Sequence, residues 1–302
     1  MVDKSEIKSV QTKVTLKSGM SFNVGDTGEM WLPSAPLKNS YAEQIPLIRN
    51  MEIADTDILL AGYPKGGSNW MFHIFNMLLN GSSDYCNTSK PLHFLETIDI
   101  PGLEVQKSGR VLNTHLLFHQ LPKQIIEKKR PIIYVLRNPK SAVVSLYHHF
   151  RDFKPIEFEG SWPQTLESFI EDKLWYGNWF DYVLDWEKAI ADNPECPITV
   201  LHYEDLLKDP AGEIYKLSKT IGVERSEQLC SQIADSCGLD RLRVHGAKVD
   251  ALKSLWKEGS AGFYRKGNVK DWQNWFTVAQ NQWFDDVYRQ RMEGSKLKFR
   301  YT

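Results

Sequence analysis

Four short apolar runs punctuate an otherwise mixed sequence, at residues 58–61, 110–112, 132–136 and 198–201. Each has strand length, is rich in Ile, Val and Leu, and is bounded by polar residues, the pattern of strands buried inside a parallel sheet. Between and after them the apolar positions recur at helical spacing. The periodicity predicts helices over 68–79, 140–150, 166–186 and 211–221, with two more over 226–235 and 281–292 behind the last strand. Strand alternating with helix predicts an α/β fold in which a central parallel sheet is flanked by helices. In such sheets ligands sit beyond the carboxyl ends of the strands, so chemistry is sought in the residues that follow each apolar run.

No internal repeat, low-complexity tract or Pro/Ser-rich linker divides the chain, so residues 1–302 are read as one domain. Lys plus Arg number 37 against 38 Asp plus Glu, a net charge of −1 that gives no global field for polyanions, and nucleic acid is not expected as a partner. No apolar run reaches the roughly 20 residues of a membrane helix, and the polar stretch from Met1 to Lys13 lacks a signal-peptide core, so no membrane association is expected. Four cysteines, Cys86, Cys196, Cys230 and Cys237, form no C-x-x-C pair and are too few for a disulfide scaffold, which fits a cytoplasmic protein. Two glycosylation sequons, at Asn80 and Asn87, are discounted on the same ground.

The first apolar run leads into Ala61-Gly62-Tyr63-Pro64-Lys65-Gly66-Gly67-Ser68-Asn69-Trp70, where a helical pattern begins. Gly62 and Gly67 have the G-x-x-x-x-G spacing of a phosphate-binding loop, whose amides and following helix N-terminus cradle phosphate oxygens. The lysine is displaced, however. Ser68 stands where a nucleotide-triphosphate loop carries Lys, and Lys65 lies inside the loop. The run 132–136 ends in Arg137, a fixed positive charge where a kinase needs an acid for Mg²⁺, so the pattern favours an anionic cofactor bound without metal.

These residues resemble those of the cytosolic sulfotransferase family, and the likeness extends from Ile58 to Phe299. Tyr63-Pro64-Lys65-Gly66-Gly67-Ser68-Asn69-Trp70 resembles the family's Y-P-K-S-G-T-T-W, which receives the 5′-phosphosulfate of 3′-phosphoadenosine 5′-phosphosulfate (PAPS). The stretch from Arg137 to Ser145 resembles R-N-P-K-D-x-x-V-S, in which the Arg and the final Ser bind the 3′-phosphate. Tyr203-Glu204-Asp205 resembles Y-E-D, whose tyrosine contacts adenine. Phe263-Tyr264-Arg265-Lys266-Gly267, with Asp271-Trp272 and Phe276-Thr277-Val278-Ala279, resembles F-x-R-K-G-x-x-G-D-W-K-x-x-F-T-V-A.

The resemblance implies a PAPS-dependent sulfotransferase that releases adenosine 3′,5′-bisphosphate (PAP), uses no metal and acts on a small acceptor, with residues 1–50 as an N-terminal extension packing on the acceptor side. Arg137 and Arg265 offer planar forks for phosphate oxygens, and Trp70 is placed to lie against a purine. The other cofactor positions it implies are Lys65, Gly66, Gly67, Ser68, Asn69, Ser145, Tyr203, Phe263, Lys266 and Gly267. Lys65 can neutralise charge on the leaving oxygen, and His115, directly behind an apolar run, matches the histidine of the family's K-x-H as general base. Trp175, Trp179 and Trp186 are read as packing.

Three departures matter. Asn113 replaces the lysine of K-x-H and is expected to offer the sulfate a hydrogen bond without charge. Gly66 and Asn69 replace a serine and a threonine of the loop, and Gln273 and Gln282 remove both charges of the family's dimer element, so a monomer or weak homodimer is expected. A P-loop small-molecule kinase and a nucleotide-binding protein with weakened catalysis are the competing readings.

Overall fold

The structure is a computed structural model that describes residues 10–35, 37, 39–85, 90–100, 109–249 and 253–301; Cys86 and the sequon at Asn87 lie outside them. Its first elements are ones that the apolar pattern does not announce. Strands β1 (Gln11–Thr15), β2 (Ser21–Asp26) and β3 (Trp31–Pro33) form a small antiparallel sheet in that order, with Thr12 opposite Val24 and Gly25 opposite Leu32. Helix α1 (Tyr41–Arg49) follows, opened by a capping box between Ser40 and Glu43. It can pack closely because Gly25 has no side chain: a Cβ there would come within 2.1 Å of the Tyr41 ring.

The main sheet holds β4 (Ile58–Ala61), β5 (Val111–Thr114), β6 (Ile132–Leu136) and β7 (Ile198–His202), all parallel, in the order β5-β4-β6-β7. Every residue of β4, β5 and β6 is buried; β4 and β6 are accordingly apolar on both faces, while β5 ends in the buried polar residues Asn113 and Thr114. Leu59, Ile132, Tyr134 and Leu136 enter one core and Ile58, Leu60, Ile133 and Val135 the other. Before β4 and β5, Asp57 and Arg110 form a fully buried ion pair: Arg110 Nη2 lies 2.5 Å from Asp57 Oδ2, and the Arg110 amide donates to Asp57 Oδ1 at 2.9 Å. The pair aligns the starts of two neighbouring strands.

Helices α2 (Ser68–Asn80), α3 (Lys123–Glu127), α4 (Pro139–Asp152), α5 (Trp162–Glu171) and α6 (Trp179–Asp192) are followed by α7 (Tyr203–Lys208), α8 (Pro210–Thr220), α9 (Glu227–Ser236), α10 (Leu239–Val249) and α11 (Val278–Arg291). Residues of α2, α8 and α9 fill one core; those of α4, α5 and α6 fill the other, together with β2. The α/β reading with a central parallel sheet therefore holds.

One expected helix, over 166–186, is two. Asp172 ends α5, and Leu174 and Gly177 exchange backbone hydrogen bonds in a turn that puts Tyr176 at φ 64° and Gly177 at φ 88°. Asn178 then restarts the chain, its side chain accepting from the Phe180 amide and donating to the Ile170 and Asp172 carbonyls. The apolar period runs across this break because both helices send their apolar residues into the same core.

Candidate active site

The residues that follow β4, β5, β6 and β7 meet at one edge of the sheet, around a cavity of about 540 Å³. Of the residues singled out in the sequence, Lys65, Gly67, Ser68, Asn69, Trp70, His115, Arg137, Ser145, Tyr203, Phe263, Arg265, Lys266 and Gly267 all line it. Gly66 does not. It is buried behind the loop, its amide donating to the Tyr63 carbonyl at 3.1 Å.

The loop between β4 and α2 depends on two glycines. A Cβ on Gly62 would meet the Val135 carbonyl oxygen at 2.6 Å, and one on Gly67, at φ 108°, would meet the Tyr203 ring at 2.5 Å. Gly67 also begins α2 without a side-chain cap, so the first-turn amides of that 13-residue helix keep donors for an anion. Lys65, at φ 69°, takes a backbone conformation that costs a non-glycine residue on the order of 1 kcal/mol. Burial, and then the charges of Lys90, Arg137 and Arg265, lower the Lys65 ammonium to about 7.

Arg137 leaves β6 with its guanidinium 4.5 Å from the Tyr203 ring centroid, and Nη1 donates to the Lys65 carbonyl at 2.8 Å. Its Nε is buried without a partner among the described residues, a donor awaiting an acceptor. Two of the sequence motifs lock together behind it. The Glu204 carboxylate accepts from both the backbone and the side-chain amide of Asn138 at 3.0 Å, and Asn138 in turn caps α4 through Ser141. Trp70 stands edge-on to Tyr203, their centroids 5.5 Å apart.

Arg265 and Lys266 both contact Asp271, at 2.6 and 2.7 Å. Burial acts to raise the Asp271 carboxyl, but hydrogen bonds from Lys266, Arg265 and Asn274 outweigh it and bring it to about 2. The three groups together carry one net positive charge. Arg243 of α10 holds this segment through the Tyr264 carbonyl at 2.8 Å and the Arg265 carbonyl.

His115 is buried, with Nδ1 2.5 Å from the Gly62 carbonyl oxygen. A carbonyl can only accept, so Nδ1 carries the proton and Nε2 is left with a lone pair and no hydrogen bond among the described residues. Burial, then the charges of Lys90 and Lys65, hold the ring well below the usual imidazole range, against a smaller upward pull from the Gly62 carbonyl. The His115 amide donates to Glu96 Oε1 at 2.6 Å. Glu96 is itself fully buried, which raises its carboxyl to about 7.

Two expectations need correction. The Asn113 side chain is absent from the cavity wall: fully buried, it turns back along its own strand and donates to the Val111 carbonyl at 2.8 Å. Trp175 does more than pack. With Tyr176 it walls the cavity, and the Tyr176 ring meets His115 edge-on at 5.4 Å, whereas Trp179 and Trp186 are core residues as expected. The turn carrying them rests on the N-terminal sheet, since the Tyr176 amide donates to the Trp31 carbonyl at 2.9 Å. Sequence reasoning missed Lys90 and Phe94, neither of which follows a strand run; both line the cavity, as does His149. His149 stacks on Phe153 at 5.4 Å. Among the described residues, no cluster of three His, Cys, Asp or Glu side chains could hold a metal ion.

Comparison with known proteins gives a consistent result. Residues 55–296 match the family model described as a sulfotransferase domain. The chain is 34% identical over 264 residues to human sulfotransferase 1C2, covering 83% of this chain and 88% of that one. Mouse sulfotransferase SULT7A1, solved in complex with PAP, is 26% identical, with a TM-score of 0.70 over 94% of this chain and 95% of that one. Retinol dehydratase, solved with androsterone and inactive cofactor PAP, shares the fold at 17% identity, with a TM-score of 0.75 over 97% and 92% of the two chains.

Proposed function

The chain belongs to the sulfotransferase domain family, and from that premise we propose that it moves a sulfuryl group from PAPS to a hydroxyl or amine of a small aromatic or hydrophobic acceptor, with His115 as general base. The observation that carries the reading is the pairing, in one cavity, of Lys65 with a histidine whose Nδ1 proton is committed to Gly62. PAPS supplies an activated sulfuryl group joined to phosphate through a bridging oxygen.

The residues present fit such a donor. Arg137, with its unpartnered Nε, and Ser145 would hold the 3′-phosphate together with the Arg265 segment, while Trp70 and Tyr203 would enclose the adenine. The amides at the start of α2 would receive the 5′-phosphate, and Lys65 would neutralise charge developing on the bridging oxygen. His115 Nε2 takes the acceptor proton as the new oxygen–sulfur bond forms. Phe94, His149, Phe153, Trp175 and Tyr176 form the apolar and aromatic side of the cavity, which supports an aromatic acceptor. Gln11, Pro33, Ser34 and Ala35 close that side, in keeping with an N-terminal extension on the acceptor side of a single 1–302 domain.

A monomer or weak homodimer and a cytoplasmic location belong to the same reading. Among the described residues no helix is long and apolar enough to cross a membrane. Light scattering at micromolar concentration tests the first point, and a tight dimer would refute it.

The direct test is transfer of label from ³⁵S-PAPS to a panel of phenols, alcohols, steroids and amines. Label on at least one acceptor, lost in His115→Ala, is the expected result. No transfer to any class, with phosphate instead transferred from γ-³²P-ATP, would establish the kinase reading.

A further inference from the structure

One cation of the cavity has no part in the chemistry described so far. Lys90 opens a short 3₁₀ turn (Lys90–His93), half-buried on the cavity wall, with its ammonium 4.8 Å from the Phe94 ring centroid. The segment behind it is fastened along the outer edge of β5. Phe94 bridges Asn113 in parallel register, the Leu95 amide donates to the Asn113 carbonyl at 3.0 Å, and Glu96 accepts from the His115 amide. The Phe94 ring meets the His115 ring at 5.2 Å, so Lys90, Phe94 and His115 follow one another around the same wall.

Among the described residues Lys90 makes no hydrogen bond and no ion pair within 4 Å. The Glu96 carboxyl acts on it from farther off, pulling its ammonium upward against burial, which lowers it to about 8. Conversely, Lys90 is the charge that acts most strongly on both His115 and Lys65, ahead of Arg137 and Arg265 at the latter. It therefore stands near the point where base and loop lysine converge. Half-buried, with no acceptor in hydrogen-bond reach among the described residues and offset only from a distance by Glu96, whose own carboxyl is raised to about 7, the ammonium is best completed by an anion.

Charge balance points to the donor. Lys65, Lys90 and Arg137 contribute three positive charges when protonated and the Arg265–Lys266–Asp271 group one more, against at most one negative charge on the buried Glu96. PAPS carries about four negative charges near neutral pH: two on the 3′-phosphate, one on the 5′-phosphate and one on the sulfate.

We propose that Lys90 binds the sulfuryl group during transfer, from the acceptor side of Lys65, supplying a second positive charge that β5 cannot supply with Asn113 turned into the sheet. This rests on the sulfotransferase reading above. In the step, the acceptor oxygen bonds to sulfur while the bond from sulfur to the bridging oxygen breaks. The acceptor proton passes to His115 Nε2, and the electron pair of the broken bond leaves on the phosphate. Lys90 stays protonated and faces the three sulfuryl oxygens throughout.

Lys90→Met keeps the apolar stem and removes the charge. At saturating donor and acceptor, turnover should fall about 10²-fold, alike for a neutral phenol and for a carboxylate-bearing phenol. Calorimetry should show PAPS binding weakened about tenfold or more, with PAP, which lacks the sulfuryl group, weakened less than about twofold. Lys90→Arg should recover part of both losses. Unchanged turnover with an unchanged PAPS-to-PAP affinity ratio would overturn the proposal. So would a loss confined to the KM of the carboxylate-bearing phenol, which would assign Lys90 to the acceptor, and so would equal weakening of PAPS and PAP, the mark of a structural role. Absence of ³⁵S transfer by the parent protein would defeat the sulfotransferase reading instead, and the PAPS-to-PAP ratio in the variant would still decide the role of Lys90.

Discussion

Donor binding should take up protons from solution. In the free site, burial and neighbouring cations lower Lys65 to about 7, and burial lowers Lys90 to about 8 despite the pull of Glu96. Four negative charges placed among these groups stabilise both ammonium forms and raise both pKa values, so any lysine unprotonated before binding must acquire a proton on binding. At pH 8, about nine-tenths of Lys65 and about half of Lys90 lack that proton, giving an uptake of about 1.4 protons per PAPS; at pH 6 the sum is about 0.1. The sign follows: affinity falls as pH rises. Integrating the uptake from pH 7 to pH 8 gives about a tenfold loss, or about 1.4 kcal/mol. Titration calorimetry at pH 8 in two buffers of different ionisation enthalpy reads the uptake directly, and repeating it with PAP, which has nearly the same total charge but no sulfuryl group beside Lys90, should give a smaller uptake. An uptake near zero, with affinity flat from pH 7 to pH 8, would refute the reasoning by showing that the lysines are already charged in the free protein.

His115→Ala should cut turnover by at least about 10²-fold, with PAPS affinity nearly unchanged and with a smaller loss on acceptors already ionised at neutral pH. Because burial and the charges of Lys90 and Lys65 hold His115 well below 6.5, the acid limb of the parent pH–rate profile should lie below that value; a limb at 6.5 would place the titrating group outside the enclosed site. Arg137→Ala should weaken PAPS and PAP together by about tenfold or more, and Ser145→Ala by less, both with little change in turnover at saturation. Lowered turnover with intact affinity would mean that the 3′-phosphate binds elsewhere. Asp57→Ala leaves Arg110 buried and uncompensated, a loss of about 3–5 kcal/mol that should lower Tm on the order of 10 °C by differential scanning fluorimetry; a shift under about 2 °C would show that the pair does not hold the strand starts.

Much of the site was legible because the residues that make it lie directly after strands whose burial is written into their composition. Ile58–Ala61 and Ile132–Leu136 appear in the structure with the bounds their apolar runs predict, and Gly62, Lys65, Gly67 and Arg137 follow them in sequence and in space. Local rules suffice there: a buried parallel strand has no polar face, and a phosphate loop needs glycines at set positions. The N-terminal sheet was not legible, since β1 is exposed along most of its length and carries no apolar run. The break between α5 and α6 was hidden because both helices bury apolar residues in one core, and with it the placement of Tyr176 beside His115. Asn113 shows the limit most clearly. From the sequence it stands two residues before His115 and should share its cavity, but that inference needs the direction of a side chain at the end of a strand. The tertiary structure turns it into the sheet and brings Lys90, 25 positions from both His115 and Lys65, to the same wall through a segment that pairs along β5. Electrostatic complementarity is a property of where charges lie in space, and spacing along the chain determines that only inside a single element.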